Sequence, residues 1–93
     1  MPVAVTLPEL PANSKIIDIR PACEYMIGHF QDAVNIPYEI LMNYPDSYLK
    51  HGETYYLICA HGSLSHRACA ILQAYGYDVA SVKNGYEIRC YCW

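Results

Sequence analysis

Cys59 ends the apolar run YYLI and opens the segment CAHGSLSHR, which runs from Cys59 to Arg67. A cysteine where a strand passes into a helix faces a tight loop. The N–H groups of such a loop can converge on an anion, backed by the partial positive charge of the helix start. A thiolate held there is stabilised and becomes a working nucleophile. Gly62 relieves crowding where the loop turns sharply. The same position also suits a buried, inert cysteine that packs as a small hydrophobe. Judged on this stretch alone, both readings stand.

Other groups with chemical potential lie upstream and at the tail. Asp18 and Arg20 fall at the end of a short apolar run, with Glu24 close behind. They read first as an ion-pair and hydrogen-bond set that fixes a helix start and supports the loop, with direct substrate contact by Arg20 as the alternative. His29, after Gly28, reads as a structural hydrogen-bonding group. His66 and Arg67 read as a solvated first helical turn, or as the groups that meet an anionic ligand. Cys90 and Cys92 in the tail IRCYCW supply two thiolates, whereas a structural zinc site wants four ligands. Cys23, Cys69 and the histidines would have to converge on them, and nothing in the spacing predicts it. Neither a metal nor another cofactor is expected.

The elements that must position Cys59 follow from punctuation and periodicity. VAVT (3–6) is a possible edge strand, and KIIDI (15–19) suits a buried parallel strand. Pro21 fits the first turn of a helix that Gly28 ends. AVNIP (33–37) is a third strand closed by a proline, and YEILMNY begins a helix ended by Pro45 and DSYLKHGE. ETYYLICA (53–60) is the strongest strand signal. Ser65 then caps a helix beginning near His66, with Ala68, Ile71, Leu72 and Tyr75 as its apolar stripe and Gly76 as its stop. DVASVK (78–83) is the last strand, followed by a turn at NGYE. Alternating strands and helices predict an α/β fold with a mainly parallel sheet covered on both faces. Ligands of such sheets bind beyond the carboxyl ends of the strands, which is where Cys59 falls. Cys69 points inward as core, and Tyr55, Tyr56, Tyr75 and Tyr77 fall in packed elements.

Composition bounds the rest. With 93 residues, 54% hydrophobic and 16% charged, the chain is read as one domain over 1–93 with one modest core. A net charge of −3 argues against bulk binding to nucleic acid or anionic membrane, and no apolar run is long enough to span a bilayer. The N-terminal MPVAVTLPEL shows no secretory signal pattern. Five cysteines at these spacings do not resemble a disulfide framework, so reduced thiols and a cytoplasmic setting are expected.

Two segments resemble a known family. IIDIRPACEYMIGHFQDAVNIP is similar to the opening signature of rhodanese domains, with Asp18, Arg20, Glu24, Tyr25, Gly28, His29, Ala33, Asn35, Ile36 and Pro37 at matching positions. YLICAHGSLSHRACAILQAYGYDVASVKNGYE resembles the second half, with its C-x-x-G-x-x-S loop. The resemblance spans about residues 14–87 and implies a three-layer fold, a five-stranded, mainly parallel sheet flanked by helices. It implies sulfurtransferase chemistry with Cys59 as nucleophile. A sulfane sulfur would pass from thiosulfate or a persulfide, through a Cys59 persulfide, to cyanide, a thiol or a protein acceptor. The loop Ala60, His61, Gly62, Ser63, Leu64 and Ser65 would hold the persulfide anion, with Asp18, Arg20 and Arg67 in support. Partners are then a small sulfur-containing anion or a protein persulfide or thiol, with no oligomeric state implied. Cys90 or Cys92 is a candidate resolving thiol.

Two positions depart from the usual loop. Leu64 stands where many single-domain members carry Arg, and Ala60 where a basic, polar or aromatic residue is frequent. Thiosulfate is a dianion, so the missing guanidinium weakens its capture, and His61 replaces that charge only when protonated. Two other classes remain in view. One is a non-catalytic interaction or redox-sensing module on the same fold. The other is phosphatase or arsenate reductase chemistry, whose C-x5-R loop is absent here.

Overall fold

A computed structural model describes residues 4–5, 10, 14–30, 32–60 and 62–83. The chain runs β1 (Ala4–Val5), β2 (Lys15–Asp18), α1 (Ala22–Ile27), β3 (Val34–Asn35), α2 (Tyr38–Asn43), α3 (Pro45–Tyr48), β4 (Thr54–Ile58), α4 (Ser63–Ala74) and β5 (Asp78–Val82). The five strands form one sheet in the order β1-β5-β4-β2-β3, and every neighbouring pair is parallel. The TYYLI of β4 is the middle strand, with the apolar runs of β5 and β2 on either side of it, as continuous apolar strands sit inside parallel sheets. The turn at NGYE and residues Cys90 and Cys92 lie outside the described residues.

Alternation along the strands divides the core in two. Ile17, Tyr55, Leu57, Cys59 and Val79 face α2 and α4, where they meet Leu41, Ala68, Cys69 and Leu72. Tyr56, Ile58, Ala80 and Val82 face the opposite side, against Ile16, Leu10 and Phe30. Fully burying a Leu or Val side chain is worth about 1.5–3 kcal/mol, so these two faces hold most of the fold's favourable energy. Tyr55, Tyr56 and Tyr77 are buried, but Tyr75 is 67% exposed.

Three local expectations change. Helix α4 begins at Ser63, not near His66, and its N-cap is Gly62 at φ 91°, a left-handed conformation that favours glycine. Ser65 therefore lies inside the first turn, buried, and its hydroxyl makes no capping bond to the free N–H groups of the helix start. The buried stripe is Ser65, Ala68, Cys69 and Leu72, with Ile71 and Tyr75 turned outward. It keeps the i, i+3, i+4, i+7 spacing but is anchored three residues earlier, on a serine that hydropathy does not count. At the other end, Tyr77 N–H donates to Leu72 O at 3.1 Å and Gly76 N–H to Gln73 O at 3.0 Å, a Schellman stop.

The other two changes concern prolines and a glycine. Pro45 does end α2, yet it also occupies the first turn of α3, where its missing N–H costs nothing. Pro21 precedes α1 as its N-cap rather than entering it, and Gly28 ends α1 in an extended conformation (φ 176°).

Candidate active site

Register brings the chemical groups together. Ile17 pairs with Leu57 and Asp18 with Ile58, and Ile19 N–H donates to Ile58 O at 3.0 Å. Arg20, two residues past β2, and Cys59, one residue past β4, thus emerge near each other at the carboxyl edge of the sheet and line one cavity. Cys59 is 4% exposed. Its Sγ accepts hydrogen bonds from Gly62 N–H at 3.1 Å and Ser65 N–H at 3.3 Å. Both amides belong to the group of N–H donors that a helix start leaves without intrahelical partners. The left-handed Gly62 lets the chain close this turn in few residues.

A hydroxyl relay backs the sulfur. Ser65 Oγ lies 3.5 Å from Cys59 Sγ and donates to Gly62 O at 3.1 Å. It also meets Ser81 Oγ at 2.6 Å, with both serines shut away from solvent. Either hydroxyl can donate in that short contact, and with the Ser65 proton on Gly62 O the donor is Ser81. While Cys59 is a thiol it can donate to Ser65 Oγ. Once ionised, it needs only a rotation of that hydroxyl to gain a third donor. Ser81 did not come out of the sequence reading; its signal is one polar residue on the buried strand DVASV.

Beside the cysteine, Asp18 is fully buried and Arg20 clamps it. Arg20 Nε sits 3.1 Å from both carboxylate oxygens and its Nη2 donates to Oδ2 at 2.8 Å. The same nitrogen donates to Gly28 O at 2.7 Å, and Arg20 N–H donates to Asp18 Oδ1 at 2.9 Å. From β3, Asn35 Nδ2 donates to Asp18 O and Arg20 O at 2.9 and 3.0 Å. The guanidinium is thus spent on fixing the strand end and α1, as a buried ion pair must be if desolvation is to be offset. His29 bonds Tyr25 O through Nδ1 at 2.8 Å and stacks on the Tyr25 ring, a structural arrangement.

A cavity of about 200 Å³ opens over Cys59, lined by Arg20, Pro21, Glu24, Ala60, Ser63 and Leu64. Of the positions read from the sequence, Cys59, Gly62 and Ser65 come together around the sulfur, while Ala60, Ser63 and Leu64 line its mouth. Arg67 is exposed on α4 and is not among the described lining residues. His61 lies outside the described residues. Cys69 is fully buried, and its thiol is pushed up to about 12, chiefly by loss of solvent and then by the charge of nearby Cys59. Among the described residues no three His, Cys, Asp or Glu side chains gather as metal ligands. No helix among them is long and apolar enough to cross a membrane.

The sequence matches the rhodanese-like domain family over residues 5–88. Together with the all-parallel five-stranded sheet and the amide-ringed cysteine, this makes the chain a member of that family. A Staphylococcus saprophyticus protein superposes with a TM-score of 0.81 at 30% identity, over 91% of this chain and 89% of that one. A rhodanese-related protein from Thermoplasma volcanium gives a TM-score of 0.79 at 27% identity, covering 88% of this chain and 84% of that one. A human single-domain sulfurtransferase shares the fold, with a TM-score of 0.77 at 21% identity over 91% and 92% of the two chains. A curated relative, the tRNA uridine(34) hydroxylase of Buchnera aphidicola subsp. Baizongia pistaciae, is 35% identical over 83 residues. That match takes in 83% of this chain, which spans about a quarter of the relative's length (25%).

Proposed function

We propose that the chain is a sulfurtransferase that carries sulfane sulfur as a persulfide on Cys59. The observation that carries this reading is the pair of amides, Gly62 N–H and Ser65 N–H, aimed at Sγ from the start of α4. Amides fixed by the fold favour an anion at that point without reorganising when it forms. The free state of Cys23, Cys59 and Cys69 suits thiol chemistry in a reducing, cytoplasmic setting.

The step balances simply. The Cys59 thiolate attacks the outer sulfur of a donor such as thiosulfate, a new S–S bond forms, and sulfite leaves with the electron pair of the broken bond. The terminal sulfur of the persulfide keeps the negative charge it carried in thiosulfate, and the charge that the thiolate brought departs on the sulfite dianion. Attack on that sulfur by cyanide gives thiocyanate and returns the Cys59 thiolate; a thiol or protein acceptor takes cyanide's place in the same way. The turn at Gly62 and the hydroxyl of Ser65 hold the charge in each state, with Asp18 and Arg20 fixing the neighbouring wall.

Intact-mass measurement after incubation with thiosulfate, and separately with the methanethiosulfonate anion, tests the proposal. The expected result is one added sulfur atom that cyanide removes as thiocyanate, with none in Cys59→Ser. An interaction or redox-sensing module would take up no sulfur from either donor. Such a module is the second reading, favoured by the commitment of the Arg20 guanidinium to Asp18 and Gly28.

A further inference from the structure

A second, larger cavity of about 430 Å³ lies next to the one over Cys59, and Pro21 and Leu64 line both. The larger space is walled by Ile19, Pro37, Tyr38 and Ile40, with Glu39 at its edge. Its walls are apolar, and the carboxylates in the two linings, Glu39 of the larger cavity and Glu24 of the smaller, are exposed. The cation lining the smaller cavity, Arg20, is already held by Asp18 and Gly28. A small dianion would therefore meet two carboxylates and a guanidinium whose charge is largely balanced. An uncharged hydrocarbon group would meet surface that gains by being covered.

Resting on the sulfurtransferase reading, we propose that the preferred sulfur donor is organic: a sulfane sulfur bearing at most one negative charge and attached to an apolar group that fills the cavity behind Leu64. Leu64 is half-buried, packs on the core as Tyr38 does, and lines both spaces. The sulfur end sits over Cys59 and the hydrocarbon end against Tyr38, Pro37 and Ile40. With an aryl thiosulfonate as donor, the Cys59 thiolate bonds to the outer sulfur, the bond from that sulfur to the sulfonyl sulfur breaks, and the arylsulfinate leaves with its electron pair. One persulfide anion and one sulfinate anion replace one thiolate and one thiosulfonate, so charge and atoms balance.

The test is kcat/KM for sulfur transfer to cyanide from three donors: benzenethiosulfonate, methanethiosulfonate and thiosulfate. Burial of one aromatic ring predicts a preference for the phenyl over the methyl donor on the order of ten- to a hundredfold. Leu64→Arg is expected to bring that ratio close to one and to raise the rate with thiosulfate. Ile40→Lys, at a position already 42% exposed and so compatible with folding, is expected to lower the ratio as well. Equal kcat/KM for the two thiosulfonates in the wild type, or a ratio that neither substitution moves, overturns the inference while leaving sulfur transfer standing. No sulfur transfer from any donor overturns the sulfurtransferase reading itself, and this inference with it.

Discussion

At the scale of single residues, two thiols among the described residues are buried in one core and surrounded differently. Cys59 receives two amides, whereas the thiol of Cys69 is driven up to about 12 by burial first and by the charge of Cys59 second. Cys69 is therefore a neutral core atom, and its titration has a definite sign. Unfolded, it ionises near 9.0; folded, it keeps its proton to about 12. Its contribution is fully present below the lower value and is lost as pH rises toward the upper one, by up to about 1.4 kcal/mol per pH unit. The stability gap between wild type and Cys69→Ala should therefore narrow as urea unfolding is repeated from about pH 8 to about pH 11; a constant gap would contradict this placement. Ser81→Ala removes the hydrogen-bond partner of Ser65 Oγ and is expected to cost about 1 kcal/mol of stability in the same assay, with slower persulfide formation.

The elements around the site act through where they end. β2 and β4 finish in register, so Arg20 and Cys59 leave the sheet together, and the Asp18–Arg20 pair pins that edge. Arg20→Ala would leave the carboxylate of Asp18 buried without its partner, at a cost of about 3–5 kcal/mol. A domain of this size has total stability of only about 5–14 kcal/mol, so a large drop in thermal midpoint is expected. An unchanged midpoint would show that the pair matters little. Gly62→Ala forces a side chain into the left-handed region at the residue whose amide meets Sγ. It should lower stability by about 1 kcal/mol and slow sulfur loading more than Gly76→Ala, which strains a turn remote from the sulfur.

For the molecule as a whole, the parallel α/β sheet was legible because its strands are short apolar runs bounded by Pro and Gly, alternating with helical segments. Cys59, Gly62 and Ser65 were legible as a loop, since C-x-x-G-x-x-S carries its own spacing. The helix start was misread because Ser65 has the composition of a cap; only the third dimension shows Ser81 waiting across the core to bond it. Ile71 and Tyr75 were misassigned for the same reason, because a buried serine, invisible to hydropathy, sets the rotation of α4. The role of α3 was hidden by Pro45, a residue that stops one helix and starts another. Leu64 was read from the sequence as a missing charge, and the structure adds that it lines an apolar cavity.

The central claim is that the amides of Gly62 and Ser65 make Cys59 a carrier of sulfur, and intact mass tests it most directly. After exposure to thiosulfate, methanethiosulfonate or benzenethiosulfonate, the wild-type chain is predicted to gain one sulfur atom. Peptide mapping should place that atom on Cys59, cyanide should remove it, and Cys59→Ser should not acquire it. No added sulfur with any of the three donors, or the same addition in Cys59→Ser, would contradict the account.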